Sequence, residues 1–507
     1  MGKSYLGVEL GSTRMKAVAI DTCYKPVSSG DYTWKSEFVN GIWTYSLDEV
    51  WIGLKTAISA IADRENIAAV GISGMMHGYL VFDKDWNLLV PFRTWQNTIT
   101  AQAADALTKA FGFNIPQRWS IAHLYQAVLN KEPHVKDVAH VTTLAGYVHY
   151  MLTGVNAVGI GEASGMFPVD SSTNYYDETM LQKFEELTKD QPWNIRDVFP
   201  SVLIAGEPAG CLTEEGAALL GGLLPAGILF APPEGDAGTG MVATNAVAPR
   251  TGNVSAGTSI FAMIVLEKSL KKVYPEIDVV TTPSGKEVAM VHCNNCTNDM
   301  NAWVSVLGEA AQLFGAAPDA NTLFTKLYQK SLEGDPDCGG VTVYNYMAGE
   351  GVTHLDEGRP MVVRKPESRF TLANFLRSQL YATMATLKIG MELLEGERVA
   401  VDFLTGHGGL FKTPVVGQRY MAAACNVPVT CLSTAGEGGP YGIALLTAYM
   451  VQKSDRESLE DYLNTRVFTE SNSVTLQPDP EDVAGFNRYM ELYKKGLAAE
   501  RAAVEAM

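Results

Sequence analysis

The sequence predicts an α/β protein built from two related halves. Three observations carry this. Apolar runs of strand length alternate with segments of helical periodicity along the whole chain. A strand–turn–strand unit opens each half: Tyr5–Asp21, turning on Gly11-Ser12-Thr13, and Asn253–Leu266, turning on Gly257-Thr258-Ser259. The two turns stand about half the chain apart, the spacing of a duplicated fold. Two such hairpins can grip one polyphosphate between two lobes across a central cleft.

The elements follow in order. Residues 1–21 read as a hairpin, and 27–45 as short strands and turns. Val50, Leu54, Ile58 and Ile61 recur at helical spacing, which predicts a helix over 47–64. Ile67–Ser73 is a buried-strand run ending in Gly74-Met75-Met76-His77-Gly78. Residues 92–100 read as loop, 101–111 as helix, and 115–200 as helix-rich. Ala226–Pro232 predicts a strand feeding a Gly/Asp loop, Gly235-Asp236-Ala237-Gly238-Thr239-Gly240. In the second half, strands are expected at 288–293, 401–404 and 427–431, with helices at 298–314, 370–395, 414–425 and 442–450. A small-residue run, Gly436-Glu437-Gly438-Gly439-Pro440, precedes the last of these. Residues 339–364 read as loop-rich, and 481–503 as a polar helix packed on the outside. The boundary is expected within Thr244–Gly252, giving domains 1–249 and 250–507.

Composition narrows the function. A net charge of −17 argues against nucleic-acid or anionic-membrane partners, which need basic patches. No apolar run is long enough to span a membrane, and the N-terminus runs straight into a strand pattern without a signal-peptide profile. Seven scattered cysteines read as reduced thiols of a cytoplasmic protein. Cys293-Asn294-Asn295-Cys296 has no second ligand pair at zinc spacing, so free thiols are expected there. The oligomeric state stays open, a homodimer among the choices.

The chemistry-bearing residues fall into three groups. Asp236, set among glycines, is an acid that a ligand can reach closely. The hydroxyl turns offer amides and hydroxyls to anionic oxygens. Gly406, Gly408 and Gly409 end a strand where backbone can pass close to a base or ribose. The sequence has neither G-x-x-x-x-G-K-[ST] nor a G-x-G-x-x-G after the first strand, which disfavours P-loop and Rossmann enzymes. A nucleotide cradle of another kind is expected.

In these residues the chain resembles the FGGY carbohydrate kinases, of the superfamily that also holds actin, hexokinase and heat-shock chaperones. Tyr5–Asp21 resembles the family's first phosphate hairpin and Ser255–Ser259 the second. Gly71-Ile72-Ser73-Gly74-Met75-Met76-His77-Gly78 resembles the xylulokinase sugar segment, SGQMHG. Gly235-Asp236 resembles the catalytic-base loop, and Gly406–Gly409 the adenosine segment. Tyr346-Met347-Ala348-Gly349-Glu350, with His354, Asp356 and Arg359, resembles YLxGER…H…D…R. The departures are Glu9 for Asp, Met75 for Gln, Asn97 for an acid, Ala237 for Asn, and Tyr381-Ala382 for Glu-Gly.

The resemblance implies two lobes of the ribonuclease-H-like, actin-like ATPase type. The 1–249 domain would carry the sugar site, the base and the first phosphate hairpin. The 250–507 domain would carry the second hairpin and the adenosine site. It implies ATP-dependent phosphorylation of a sugar hydroxyl, with Asp236 as general base. Met76, His77, Gly78, Trp95, Asn97 and Asp236 would contact the sugar. Gly11, Ser12, Thr13, Lys16, Gly257, Thr258, Ser259, Gly406, Gly408 and Gly409 would contact ATP. Mg²⁺ would sit near Glu9 and Asp236, largely through water, because it dehydrates reluctantly. A ketopentose such as xylulose is the first choice of substrate; another ketose, a polyol or a sugar acid stays open. So do a non-catalytic sugar sensor, which would not need Asp236, and a bare ATPase, which would not need the Met-His segment.

Overall fold

The computed structural model describes residues 2–432, 438–469 and 473–507. The chain forms two compact units. The first holds Met1–Ala248, Lys272–Val288 and the described residues of Glu437–Glu470. The second holds Pro249–Lys271, Ala289–Gly436 and Ser471–Met507, again as far as described. The chain first passes from one unit to the other at Ala248/Pro249 and crosses back twice, so each unit is built from three segments.

In the first unit the central strand is Ser4–Leu10. It pairs antiparallel with Arg14–Asp21 and parallel with Ile67–Gly74. Leu6, Val8, Leu10, Ile72 and Met15 are fully or almost fully buried, as in a sheet covered on both faces. One cover is the helix Leu47–Ser59, whose cap Ser46 accepts from the Glu49 amide. Another is the helix Gly438–Gln452, nearly all of it buried. Gly7 and Gly71 let that helix approach: a Cβ on Gly7 would strike the Pro440 carbonyl, and one on Gly71 the Thr447 hydroxyl. Of the small-residue run before it, Gly436 and Glu437 lie outside the described residues.

The second unit builds its sheet in the order Glu287–Cys293, Ile260–Val265, Thr251–Ala256, Phe403–His407, Val429–Leu432, Ser473–Leu476. Here too the first strand of a hairpin, Thr251–Ala256, runs parallel to a later strand, Phe403–His407. The shared arrangement is the structural counterpart of the repeated hairpin in the sequence.

Four local readings change. The Gly/Asp loop is instead a helix, Asp236–Ala243, capped by Gly235. Its glycines disfavour helix by about 1 kcal/mol each, yet burial of Thr239, Met241 and Val242 offsets this. The strand expected over 226–232 shortens to Leu229–Phe230, with Glu234–Gly235 pairing separately beside Ile67–Gly74. The loop-rich 339–364 stretch holds an antiparallel pair, Val341–Tyr344 with Met361–Arg364. The C-terminal helix, Pro480–Ala506, is not external on all sides: Phe486, Tyr489, Met490 and Tyr493 are buried along one stripe.

That helix also supplies Asp482, which pairs with Arg377 and Arg419. The side chains of Arg377 and Asp482 are each only 2% exposed. Removing one partner strands the other charge in the interior. Asp482→Ala is therefore expected to cost about 3–5 kcal/mol, seen as a lower denaturant midpoint for the second unit. An unchanged midpoint would contradict this reading of the pair.

Candidate active site

Parallel pairing of Glu234 with Ser73, and of Gly235 with Gly74, brings two strand ends side by side. The Met75-Met76-His77 segment leaves one, and Asp236 leaves the other as the first residue of its helix. The backbone amides of Ala237 and Met76 favour the ionised Asp236 carboxylate. Burial raises its pKa to about 6, against the lowering effect of those amides. Thr239, one turn on, meets the Ser73 hydroxyl at 3.1 Å.

Glu9 lies one residue from the end of the central strand, between Lys16 on one neighbour and Ser73 on the other. Its pKa is pushed up to about 8, first by burial and then by the negative charge of Asp236, with Lys16 opposing. Gly439 closes over it: a Cβ there would collide with the Glu9 carboxylate. Two carboxylates that disfavour each other's charge fit a divalent cation, which relieves that repulsion. Among the described residues no group of three or more His, Cys, Asp or Glu is set to hold a metal. The fit is to a cation that keeps most of its water.

His77 has a left-handed backbone, φ 69°. Such a conformation in a bulky residue costs about 1–3 kcal/mol and persists where the surroundings enforce it. The surroundings are visible: His77 Nδ1 lies 3.0 Å from the Gly165 carbonyl oxygen, and its ring stacks on Trp119. Gly78 donates its N–H to the Arg118 carbonyl. Met76 is buried with its side chain against Gly235, while Trp95 is 37% exposed. Asn97 is engaged with backbone: Oδ1 accepts the Trp43 N–H at 2.9 Å, and Nδ2 donates to the Trp43 and Thr94 carbonyls at 2.8 and 3.0 Å. It pins the short strand Ile42–Thr44 to the loop at Thr94.

The first hydroxyl turn is braced from within. Trp34 Nε1 donates to the Gly11 carbonyl at 2.7 Å and the Tyr45 hydroxyl to the Ser12 carbonyl at 2.6 Å. With these carbonyls occupied, Ser12 is half-buried and Thr13 exposed. Lys16 follows on the outgoing strand.

In the second unit the turn at Gly257 is braced in the same manner. Thr297 Oγ1 donates to the Gly257 carbonyl at 2.8 Å, and the Cys296 N–H to the Thr258 carbonyl at 3.1 Å. Glu350 holds this brace, accepting the N–H groups of Asn294 and Asn295 at 2.9 and 3.3 Å. Asn295 Oδ1 in turn accepts the Met347 and Ala348 amides. The thiols of Cys293 and Cys296 are buried, free and raised in pKa chiefly by burial. Register pairing of Ser255 with His407 sets Gly406, Gly408 and Gly409 along the incoming strand of the hairpin. Gly408 has φ 96°, and a Cβ there would strike the Ala256 carbonyl.

Sequence reasoning passed over Glu162, Glu234, Thr239 and Gly439. Glu234 directly precedes Gly235-Asp236 and was legible as an acid; Glu162 carried no local signal.

Residues 4–242 match the N-terminal domain of the FGGY family of carbohydrate kinases, and residues 252–451 its C-terminal domain. A xylulose kinase of Haemophilus influenzae is 23% identical, over 97% of this chain and 99% of that one. A ligand-bound xylulose kinase from Lactobacillus acidophilus shares the fold with TM-score 0.81 at 16% identity, covering 98% of both chains. A gluconate kinase from the same organism matches with the same TM-score, identity and coverage. The chain thus has the two-domain, actin-like ATPase fold. It belongs to the FGGY family of carbohydrate kinases and is an ATP-dependent phosphotransferase acting on a sugar hydroxyl.

Proposed function

We propose that the chain phosphorylates a ketopentose such as xylulose, with Asp236 as the general base. The observation that carries this is the link between Met76 and Asp236. Gly74, which leads into the sugar-type segment, pairs with Gly235, which leads into the acid, and the Met76 side chain lies against Gly235, so a sugar held at one is presented to the other. A sugar hydroxyl is a weak nucleophile, and Asp236 takes its proton as attack proceeds. Met76, His77, Gly78 and Trp95 offer apolar faces and one polar tip to a sugar. Asn97 acts by holding the loop that carries Trp95. The turns Gly11-Ser12-Thr13 and Gly257-Thr258-Ser259, with Lys16, bind phosphate oxygens. Gly406, Gly408 and Gly409 line the nucleoside. Glu9 and Asp236 are the residues that would hold Mg²⁺, which would supply positive charge to the transferring phosphoryl.

A base must be ionised to act, so kcat/KM for the sugar is expected to fall about tenfold per unit as pH drops below the Asp236 pKa, which burial raises and a bound cation would lower. A kcat/KM that rises as pH falls would remove Asp236 from that role. Mass analysis of the products tests the reaction itself: xylulose and ATP should yield ADP and a pentulose monophosphate. A xylulose recovered unchanged while another sugar is phosphorylated would replace the substrate.

A further inference from the structure

Behind Asp236 lie two carboxyls that this mechanism does not use. Glu162 and Glu234 are 0% and 1% exposed. Each lies against the backbone beside the other. Glu234 accepts the Glu162 N–H at 2.9 Å and the Gly161 N–H at 3.4 Å. Glu162 in turn lies against Gly235, where a Cβ would stand 2.6 Å from its Oε2. Gly235 is the cap of the helix that Asp236 begins. Gly159 and Gly161 make the room, since a Cβ on either would strike the Glu234 carboxylate.

Ordinary packing does not account for this pair. Thr143 approaches Glu162, yet neither Glu162 oxygen makes a hydrogen bond of good geometry, and the nearby Tyr176 hydroxyl has none either. The charges nearest Glu162 are the carboxyls of Glu234 and Asp236. Buried polar groups left unsatisfied are costly, and apolar side chains of the same size would fill the space at less cost. Local rules broken in this way cluster at functional sites.

We propose that Glu162 and Glu234 form a reciprocal clasp that fixes the position of the Asp236 carboxylate, making both positioning residues for phosphoryl transfer. The inference rests on the reading of Asp236 as the base. Glu234 grips the turn that carries Glu162, and Glu162 supports the peptide that carries Asp236. Glu234 does this by accepting hydrogen bonds and Glu162 by filling the space beside Gly235, so an uncharged amide of the same length should serve at either place.

The test compares Glu162→Gln, Glu162→Ala, Glu234→Gln and Glu234→Ala. It reads kcat, KM for the sugar, and amide hydrogen exchange of the peptide spanning 235–240. The glutamine variants should keep kcat within about threefold. The alanine variants should lose at least about tenfold in kcat with KM little changed, since misplacement of a reacting group by about 1 Å can cost 10²-fold. Exchange at 235–240 should quicken in the alanine variants alone, and each alanine variant combined with Asp236→Asn should be no slower than Asp236→Asn by itself, whereas independent sites would lose the sum of both effects. Should an alanine variant fail to fold, Glu162→Asp, shorter by one methylene, is read in the same way. Alanine variants with wild-type kcat and exchange, or glutamine variants as impaired as alanine ones, would overturn the clasp. Because exchange needs no turnover, it judges the clasp even if Asp236→Asn alone shows that the base lies elsewhere.

Discussion

Asp236→Asn is expected to lower kcat by about 10² to 10⁴, the usual worth of general-base catalysis. Asn is nearly isosteric and keeps a carbonyl oxygen near the Met76 and Ala237 amides. It cannot take up the sugar's proton. Sugar affinity should therefore change much less than kcat, and ATP affinity little, because neither hydroxyl turn is altered. The melting curve should stay close to wild type, since a neutral amide replaces an acid that burial already pushes towards neutrality. Steady-state kinetics by coupled ADP release, with calorimetry for both ligands, checks each part. A folded, sugar-binding variant that keeps more than about a tenth of kcat lies outside the range for a general base.

The second large effect is expected at Gly439. A Cβ at this position would collide with the Glu9 carboxylate and approach the Thr239 hydroxyl. Gly439→Ala must push Glu9 aside, and a displacement of about 1 Å in such a site costs about 10²-fold in kcat/KM. The cause can be isolated by adding Glu9→Asp, whose shorter side chain withdraws the carboxylate from the new methyl. The double variant should recover at least about tenfold over Gly439→Ala alone, a coupling that independent sites do not show. Strictly additive losses would mean that Gly439 serves some purpose other than room for Glu9.

The parts of the site that were legible are those written locally. Each hydroxyl turn lies between two apolar strands, and the register that pairs Glu9 with Lys16 follows from a short hairpin turn. The helix at Asp236 was hidden because its glycines oppose helix formation, and only tertiary packing overrides them. The C-terminal helix hid its core face behind Lys and Glu, although Phe486, Tyr489, Met490 and Tyr493 already stood at i, i+3, i+4 and i+7. The link between Glu162 and Glu234 could not be read from spacing. Some seventy residues separate them, and they meet only through the fold. Asn97 shows the converse: it was expected to contact the sugar, yet its amide is engaged with backbone at Trp43 and Thr94.

The central claim is that this carbohydrate kinase acts on a ketopentose, and the direct measurement is ADP formation across a panel of ketoses, polyols and sugar acids at fixed ATP and Mg²⁺. The account predicts a ketopentose with the highest kcat/KM and a sugar-free rate far below it. A polyol or sugar acid that outruns every ketopentose, or ADP release indifferent to all of them, would contradict it.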